Sequence, residues 1–391
     1  MGLPERITLI KKIEELRDSK VICYVTSLRP NVVGQISDDA VRVMFEHLLL
    51  LPSRPIKKLD LFLCSNGGAG TVPWRLVPLF REFAESFNVV IPFRAYSAAT
   101  LIALGADEIV AHPFAELGPI DPTVQNEFNP LSDDQSGRRL GIGVEDVRAY
   151  VSFIKTTVGI THEDELIRAI EILAQKVHPL ALGNVERFIL QSRMIATKIL
   201  KTHMPSTDDH RINEIVETLG SKLFFHGHPI NRLEAKNDLN LKVNVELPPD
   251  LETAIWDLYK DYEIEFKNTE QLNPPGDLAK IDLDRQGERL EYRRQMTDGV
   301  KAFIDTQPIE QRALLTIRLG QELMQFFEMQ QRQEDPPKME YELLHATVES
   351  ARLSSQYRSN RCFVYLQTAT PGQMAIHEHA QGQGWSHETV T

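Results

Sequence analysis

Three short runs hold the residues best suited to chemistry: CSNGGAG (64–70), AYSAAT (95–100) and AHP (111–113). In the second, Ser97 stands between an apolar strand pattern and a helix of small residues. A serine in a tight strand-to-helix turn can act as a nucleophile, helped by the helix dipole. The plainer alternative is a helix N-cap, its hydroxyl bonding a free N–H of the first turn. In the first run, Gly67 and Gly68 let a backbone N–H face a cleft with no Cβ in the way. Ala98, Ala99 and Ala103 keep the following helix slim, so the Ala98 N–H can approach a substrate. Gly68 and Ala98 together would make a two-donor oxyanion hole, in which each donor is worth roughly 3–4 kcal/mol of barrier lowering. The alternative for the glycines is a turn that merely reverses the chain. The run matches neither GxxxxGK[ST] nor GxGxxG, so neither a phosphate loop nor a dinucleotide fingerprint is indicated.

The elements that must carry these residues alternate. Helical spacing at 5–19 precedes a compact β-rich run, 20–26. A helix over 37–51 follows, opened by Ser37 and two acids and closed by Pro52. Strands are expected at 59–64, 88–94 and 107–112, with helices at about 72–87 and 98–105 between them. Such alternation means βαβ units and a parallel sheet, and continuously apolar strands mean that both faces are covered. Sites in such sheets form at the carboxyl ends of strands, where all three runs fall. Residues 144–203 read as mostly helical. Pro248 and Pro249 mark an expected boundary between a 1–249 enzymatic core and a 250–391 module. That module reads as acidic helices, broken at NPPGD (273–277), then two strands joined by QYRSNR (356–361) and a flexible tail.

With 391 residues, 42% apolar and 25% charged, the composition is that of a globular protein. The net charge of −12 argues against general nucleic-acid binding. Cys23, Cys64 and Cys362 are far apart, so neither a disulfide framework nor a CxxC metal site is expected. HGH (226–228) lies in a turn before Pro229 and reads as structural, and HEH (377–379) lies in the tail with no carboxylate or cysteine set at metal spacing, so no metal and no cofactor is expected. Charges interrupt the N-terminal apolar run, and no stretch reaches the ~20 apolar residues of a membrane span; the expectation is a cytoplasmic protein without a transmembrane segment.

The runs LDLFLCSNGGAG and VVIPFRAYSAATLIALGADEIVAHPFAELGPIDP resemble the serine dehydrogenase proteinase-type peptidases. These are relatives of signal peptide peptidase A in the Clp-protease/crotonase fold group. YVTSLRPNVVGQISDDA upstream and HGHPINRLEAKNDLNLKV downstream resemble the same family, so the similarity covers about residues 20–245. It implies a spiral of ββα units, a serine nucleophile at Ser97, oxyanion donors at Gly68 and Ala98, and assembly into rings or stacked oligomers.

The general base departs from the family pattern. Relatives use a lysine, or a histidine with an acid. No lysine lies between Ser97 and Lys155; Glu145 or Arg148 matches the Ser–Lys position, and Ile120 and Asp121 lie near the Clp-type histidine position. Three candidates follow: Lys155 if buried, Asp121 in its Gly-Pro/Pro turn, and His112 at a strand end. Their bland alternatives are an exposed helix lysine, a turn-former and a structural histidine. The leading reading is a homo-oligomeric serine peptidase acting on peptides or proteins. The rivals are an inactive assembly or binding scaffold of the same fold and a crotonase-like acyl-CoA enzyme.

Overall fold

The computed structural model describes residues 2–120, 123–124, 127–132, 139–205, 208–222, 228–333, 335–367 and 374–390. The elements begin with α1 (Leu3–Arg17), β1 (Lys20–Thr26), α2 (Asp39–Leu49), β2 (Ile56–Cys64) and α3 (Val72–Phe83). Next come β3 (Ala84–Ile91), β4 (Arg94–Ala95), α4 (Ala98–Ala103), β5 (Glu108–Ala111), β6 (Glu116–Leu117), β7 (Thr123–Val124) and β8 (Ile142–Gly143). They continue with α5 (Val144–Ser152), α6 (Glu163–Lys176), α7 (Pro179–Leu200), α8 (Asp209–Glu217), β9 (Ile230–Asn231), α9 (Arg232–Asn237) and β10 (Val243–Asn244). The last are α10 (Pro249–Glu265), α11 (Pro274–Asp305), α12 (Ile309–Gln333), β11 (Lys338–Ser350), β12 (Leu353–Gln367) and β13 (Met374–Thr389).

The chain divides into two compact units. The first is Met1–Glu270 with Leu344–Tyr357 and Trp385–Thr391; the second is Gln271–Leu343 with Arg358–Gly384. Compactness thus extends past Pro249, because α10 and the inner end of β11 build onto the sheet. In the first unit the sheet order is β10-β5-β3-β2-β1-β11. Neighbours from β10 to β1 are parallel, and β11 joins β1 antiparallel in the register Ile22↔Ser350 to Thr26↔Ala346.

The central strands are mostly apolar because each face has its own cover. Ile22, Tyr24, Leu61, Leu63, Val89 and Ile91 face a core built with α2, α3, α4 and α7. Val21, Cys23, Val25, Phe62, Cys64 and Val90 face the other way, against α1 and α10. The period of two along every strand separates the sets. The first unit is a mixed α/β architecture with a mostly parallel sheet, as the alternation implied.

Several buried polar groups inside the unit form paired networks. Arg6 is buried and donates from Nε and Nη2 to both oxygens of Glu349, and from Nη1 to Asp261 at 2.9 Å. It ties α1, α10 and β11 together. Arg17 bonds Asp60 at 2.8 Å, and Asn88 donates to the same carboxylate at 2.9 Å, tying α1 to the middles of β2 and β3. His47 of α2 sits between Ser350 Oγ at 3.1 Å and Ser355 Oγ at 3.0 Å, and Ser355 meets His387 Nδ1 at 2.9 Å. Burial, reinforced by the charge His387 would carry, pushes His47 down to about 3.

Three expected boundaries move. The helix expected to reach 87 ends at Phe83, since Ala84–Phe87 pair with Ile56–Leu59 as strand. QYRSNR is not a turn but lies within β12; the chain reverses at residues 351–352, where Arg352 N–H reaches Ser350 Oγ at 3.5 Å. Residues 374–389 form a strand rather than a flexible tail. Its glycines and histidines gave no apolar alternation to read; its ladder partner is the preceding strand, β12.

In the second unit α11 opens at the NPPGD break. The Asn273 side chain accepts from Gly276 N–H at 3.3 Å and Pro274 occupies the first turn, as suits a helix start. α12 carries exposed Leu314, Ile317, Met324 and Phe326.

Candidate active site

The site is built from two loops laid side by side at the carboxyl ends of β2 and β3. Ser65 N–H donates to Arg94 C=O at 2.8 Å, and Tyr96 N–H donates back to Ser65 C=O at 3.0 Å. This one-residue parallel bridge, Ser65↔Ala95, sets the glycine run beside Ser97. Ser65 is fully buried; its Oγ receives Thr26 Oγ1–H at 2.8 Å and Gly67 N–H at 3.0 Å. The hydroxyl therefore folds the chain back immediately before the two glycines.

Gly67 has φ +103° and Gly68 φ +149°, values that L side chains rarely adopt. A Cβ on Gly67 would lie 2.8 Å from Ser97 Cβ and 2.8 Å from Tyr96 C=O. A Cβ on Gly68 would overlap the backbone of Ile36. The double glycine thus permits close approach on both sides, and Ser97 is what Gly67 approaches.

Ser97 precedes α4 with φ 52° and ψ −112° and makes no side-chain cap bond. The N-cap alternative is not realised. A non-glycine residue at such angles stores of order 1–3 kcal/mol, which the surroundings must hold. They do so through Thr100, whose Oγ1 donates to Ala95 C=O at 2.7 Å and lies 2.8 Å from Gly118 C=O. Gly118 N–H in turn reaches Ala95 C=O at 3.3 Å. Among the described residues, neither the Ser97 hydroxyl nor the N–H groups of Gly68 and Ala98 have a hydrogen-bond partner. Ala98 is fully buried and Ser97 half-buried.

Among the described residues none of the expected bases is hydrogen-bonded to Ser97. His112 accepts from Phe114 N–H at Nδ1, 3.1 Å, and its ring stacks on Trp256 with centroids 4.9 Å apart. Burial lowers its basicity, partly offset by Glu252. It lies one residue past the end of β5. Lys155 lies exposed in a π-helical turn, Phe153–Thr157, beside an apolar groove of about 380 Å³ lined by Tyr150, Ile154, Leu166 and Ile170. Asp121 is outside the described residues, as are the side chains of Glu145 and Arg148. Ile120 is buried, its C=O receiving Ser192 Oγ–H at 2.6 Å.

Three contributors were not legible in the sequence: Ile36, Thr100 and the pair Tyr96–Glu116. Tyr96 O–H donates to Glu116 at 2.6 Å, and burial beside that carboxylate pushes the phenol up to about 12. Thr100 looked like an ordinary helix residue; only its i−5 contact to Ala95 gives it a role.

For metals, His228 pairs with Glu234 at 2.9 Å, while His226 and Gly227 lie outside the described residues. Glu378, between His377 and His379, bonds Arg361 at 2.8 Å. Among the described residues no group of three or more His, Cys, Asp or Glu is placed to hold a metal, and no helix is long and apolar enough to cross a membrane.

Residues 3–132, a third of the chain, match the family of ClpP-like SDH-type serine proteinases. The resemblance read from the motifs holds over that stretch, which contains Gly67, Gly68, Ser97 and Ala98. Two uncharacterised proteins of Methanocaldococcus jannaschii are each 24% identical to this chain. One match spans 250 residues, 62% of this chain and 73% of that protein; the other spans 261 residues, 65% and 78%. Among solved structures, a mutant of the membrane-bound stomatin-specific protease 1510-N aligns with TM-score 0.29 and 16% identity, over 57% of this chain and 80% of that one. A second mutant of that protease, in complex with a substrate peptide, aligns with TM-score 0.33 and 15% identity, over 57% and 75%.

Proposed function

We propose that the protein is a serine peptidase in which Ser97 attacks a peptide carbonyl and the N–H groups of Gly68 and Ala98 hold the resulting oxyanion. The observation that carries this reading is the unsatisfied constellation itself. A strained serine at a helix start, free of any cap bond, touches a double glycine, and two unpartnered N–H groups flank it. Gly68 is exposed and Ala98 buried, and two N–H groups left free beside the serine suit a charge that appears only during reaction. The match of residues 3–132 to a serine proteinase family supports the same chemistry.

In this reading Ser97 Oγ loses its proton to a base as it bonds to the carbonyl carbon. The tetrahedral intermediate then collapses, the leaving amine takes the proton, and water hydrolyses the acyl-enzyme. Lys155 is the base we assign, reached on homo-oligomerisation. Phe153, Val158, Ile167 and Ile170 are exposed around it. Covering them with a second copy would bury the lysine, the condition under which an ammonium gives up its proton near neutrality. Apolar burial there yields about 25 cal/mol per Å² toward association.

A second reading rests on one specific observation: no described group is hydrogen-bonded to Ser97 Oγ. An inactive assembly scaffold would look the same. A fluorophosphonate probe separates the two. Labelling of Ser97, abolished by Ser97→Ala in a folded protein, supports the peptidase. An unlabelled, correctly assembled protein overturns it.

A further inference from the structure

We propose that His345, more than two hundred residues after Ser97 in the chain, is the positioning residue of the oxyanion loop, acting through the strap of residues 27–36. The proposal rests on the peptidase reading and names what holds Gly68 in register.

Gly67 and Gly68 have no side chains to anchor them, and their positive φ values leave the loop's own backbone no preference for this shape. One side is held by the Ser65↔Ala95 bridge. Among the described residues, the other is held by Ile36. Ile36 N–H donates to Gly67 C=O at 2.7 Å, and Ala69 N–H donates to Ile36 C=O at 2.8 Å. These two bonds grip the peptide units on both sides of Gly68, so the direction of the Gly68 N–H follows the position of Ile36.

Ile36 lies at the end of a strap with no regular structure between residues 27 and 35. Both ends of that strap converge on His345. Its backbone C=O accepts from Ser27 N–H at 2.9 Å. Its Nδ1 lies 2.7 Å from Val33 C=O, which can only accept, so the ring donates. Val33 is three residues before Ile36. Between them Gly34 lies so close to the Ser27 backbone that no Cβ would fit, which shuts the strap into a loop. The Tyr357 ring meets His345 edge to face, with centroids 5.8 Å apart, and holds the imidazole toward Val33. Asn268 adds an anchor, accepting from Leu28 N–H at 3.0 Å, and Glu270 C=O receives Arg29 Nε–H at 2.9 Å. All of these residues belong to the first compact unit.

The test pairs His345→Ala with His345→Asn, whose amide can still donate to Val33. Amide hydrogen exchange at Ile36 and Ala69 reports the grip directly, and hydrolysis of a fluorogenic peptide reports its consequence. In His345→Ala, exchange at these two amides rises at least tenfold. A donor displaced by a fraction of an ångström lowers kcat by about 10–100-fold, while KM stays within twofold. His345→Asn restores both. Unchanged exchange in His345→Ala overturns the proposal. So does a kcat that stays at the wild-type level once the amides are exposed, or a loss that His345→Asn does not recover. A wild-type protein inert to peptide and to the fluorophosphonate probe fails the peptidase reading instead. The exchange arm still decides the strap in that case, raised exchange upholding the coupling and unchanged exchange ending it.

Discussion

Gly67→Ala places one methyl group at the most constrained point of the site. The new Cβ would sit 2.8 Å from Ser97 Cβ and 2.8 Å from Tyr96 C=O, where ordinary contact starts at 3.4 Å; the loops must therefore part by about 3.4 − 2.8 = 0.6 Å. Neither neighbour is a flexible side-chain end that could swing away. The backbone at φ +103° adds strain of roughly 1–2 kcal/mol for a residue with a Cβ. Misplacing a reacting group by about 1 Å can cost 10²-fold in rate. Gly67→Ala is thus expected to lower kcat by about 10–100-fold and to cost about 1–3 kcal/mol of stability. Gly70→Ala is the matched control, three residues on, where an added Cβ meets nothing within 4 Å. Peptide hydrolysis, fluorophosphonate labelling rate and thermal unfolding, measured on both variants, decide it. Wild-type activity and stability in Gly67→Ala, or equal damage in Gly70→Ala, would refute the close-approach reasoning.

Lys155→Ala is expected to abolish hydrolysis while leaving the unfolding transition in place; full activity would remove Lys155 and return the role to Asp121 or His112. Glu349→Gln should cost about 3–5 kcal/mol in denaturant unfolding, because it weakens the acceptor of a buried Arg6 that also faces Asp261. A loss under about 1 kcal/mol would show the network to be dispensable. His47 has a folded-state value of about 3, below the ordinary 6.5, so the unfolded chain binds the extra proton first. Stability is then fully present above about pH 6.5 and falls by up to ~1.4 kcal/mol per pH unit as pH drops toward 3. His47→Gln should flatten that part of the profile, and an unaltered slope would sink the assignment.

Much of the fold was open to reading before any coordinates. The apolar runs at 20–26 and 59–64 and the alternation with helices named a parallel sheet, because a strand buried on both faces has no polar position to hide. Composition and pattern also placed Ser97, Gly67 and Gly68 at strand ends, where an N-cap and a plain turn stood as the alternatives to a site. Ile36, Thr100 and His345 had no such mark. Their roles are single contacts across the fold: a backbone carbonyl on Gly68's neighbour, a hydroxyl on Ala95, an imidazole on Val33. Sequence patterns record which face a residue buries, through the periods of 2 and 3.6, and which backbone angles it tolerates. They do not record which two loops meet. The double glycine foretold that something would press close at 67 and 68. That Ser97 presses on one and Ile36 on the other was decided only when β1, β2 and β3 took their register and brought the three loops to one edge of the sheet.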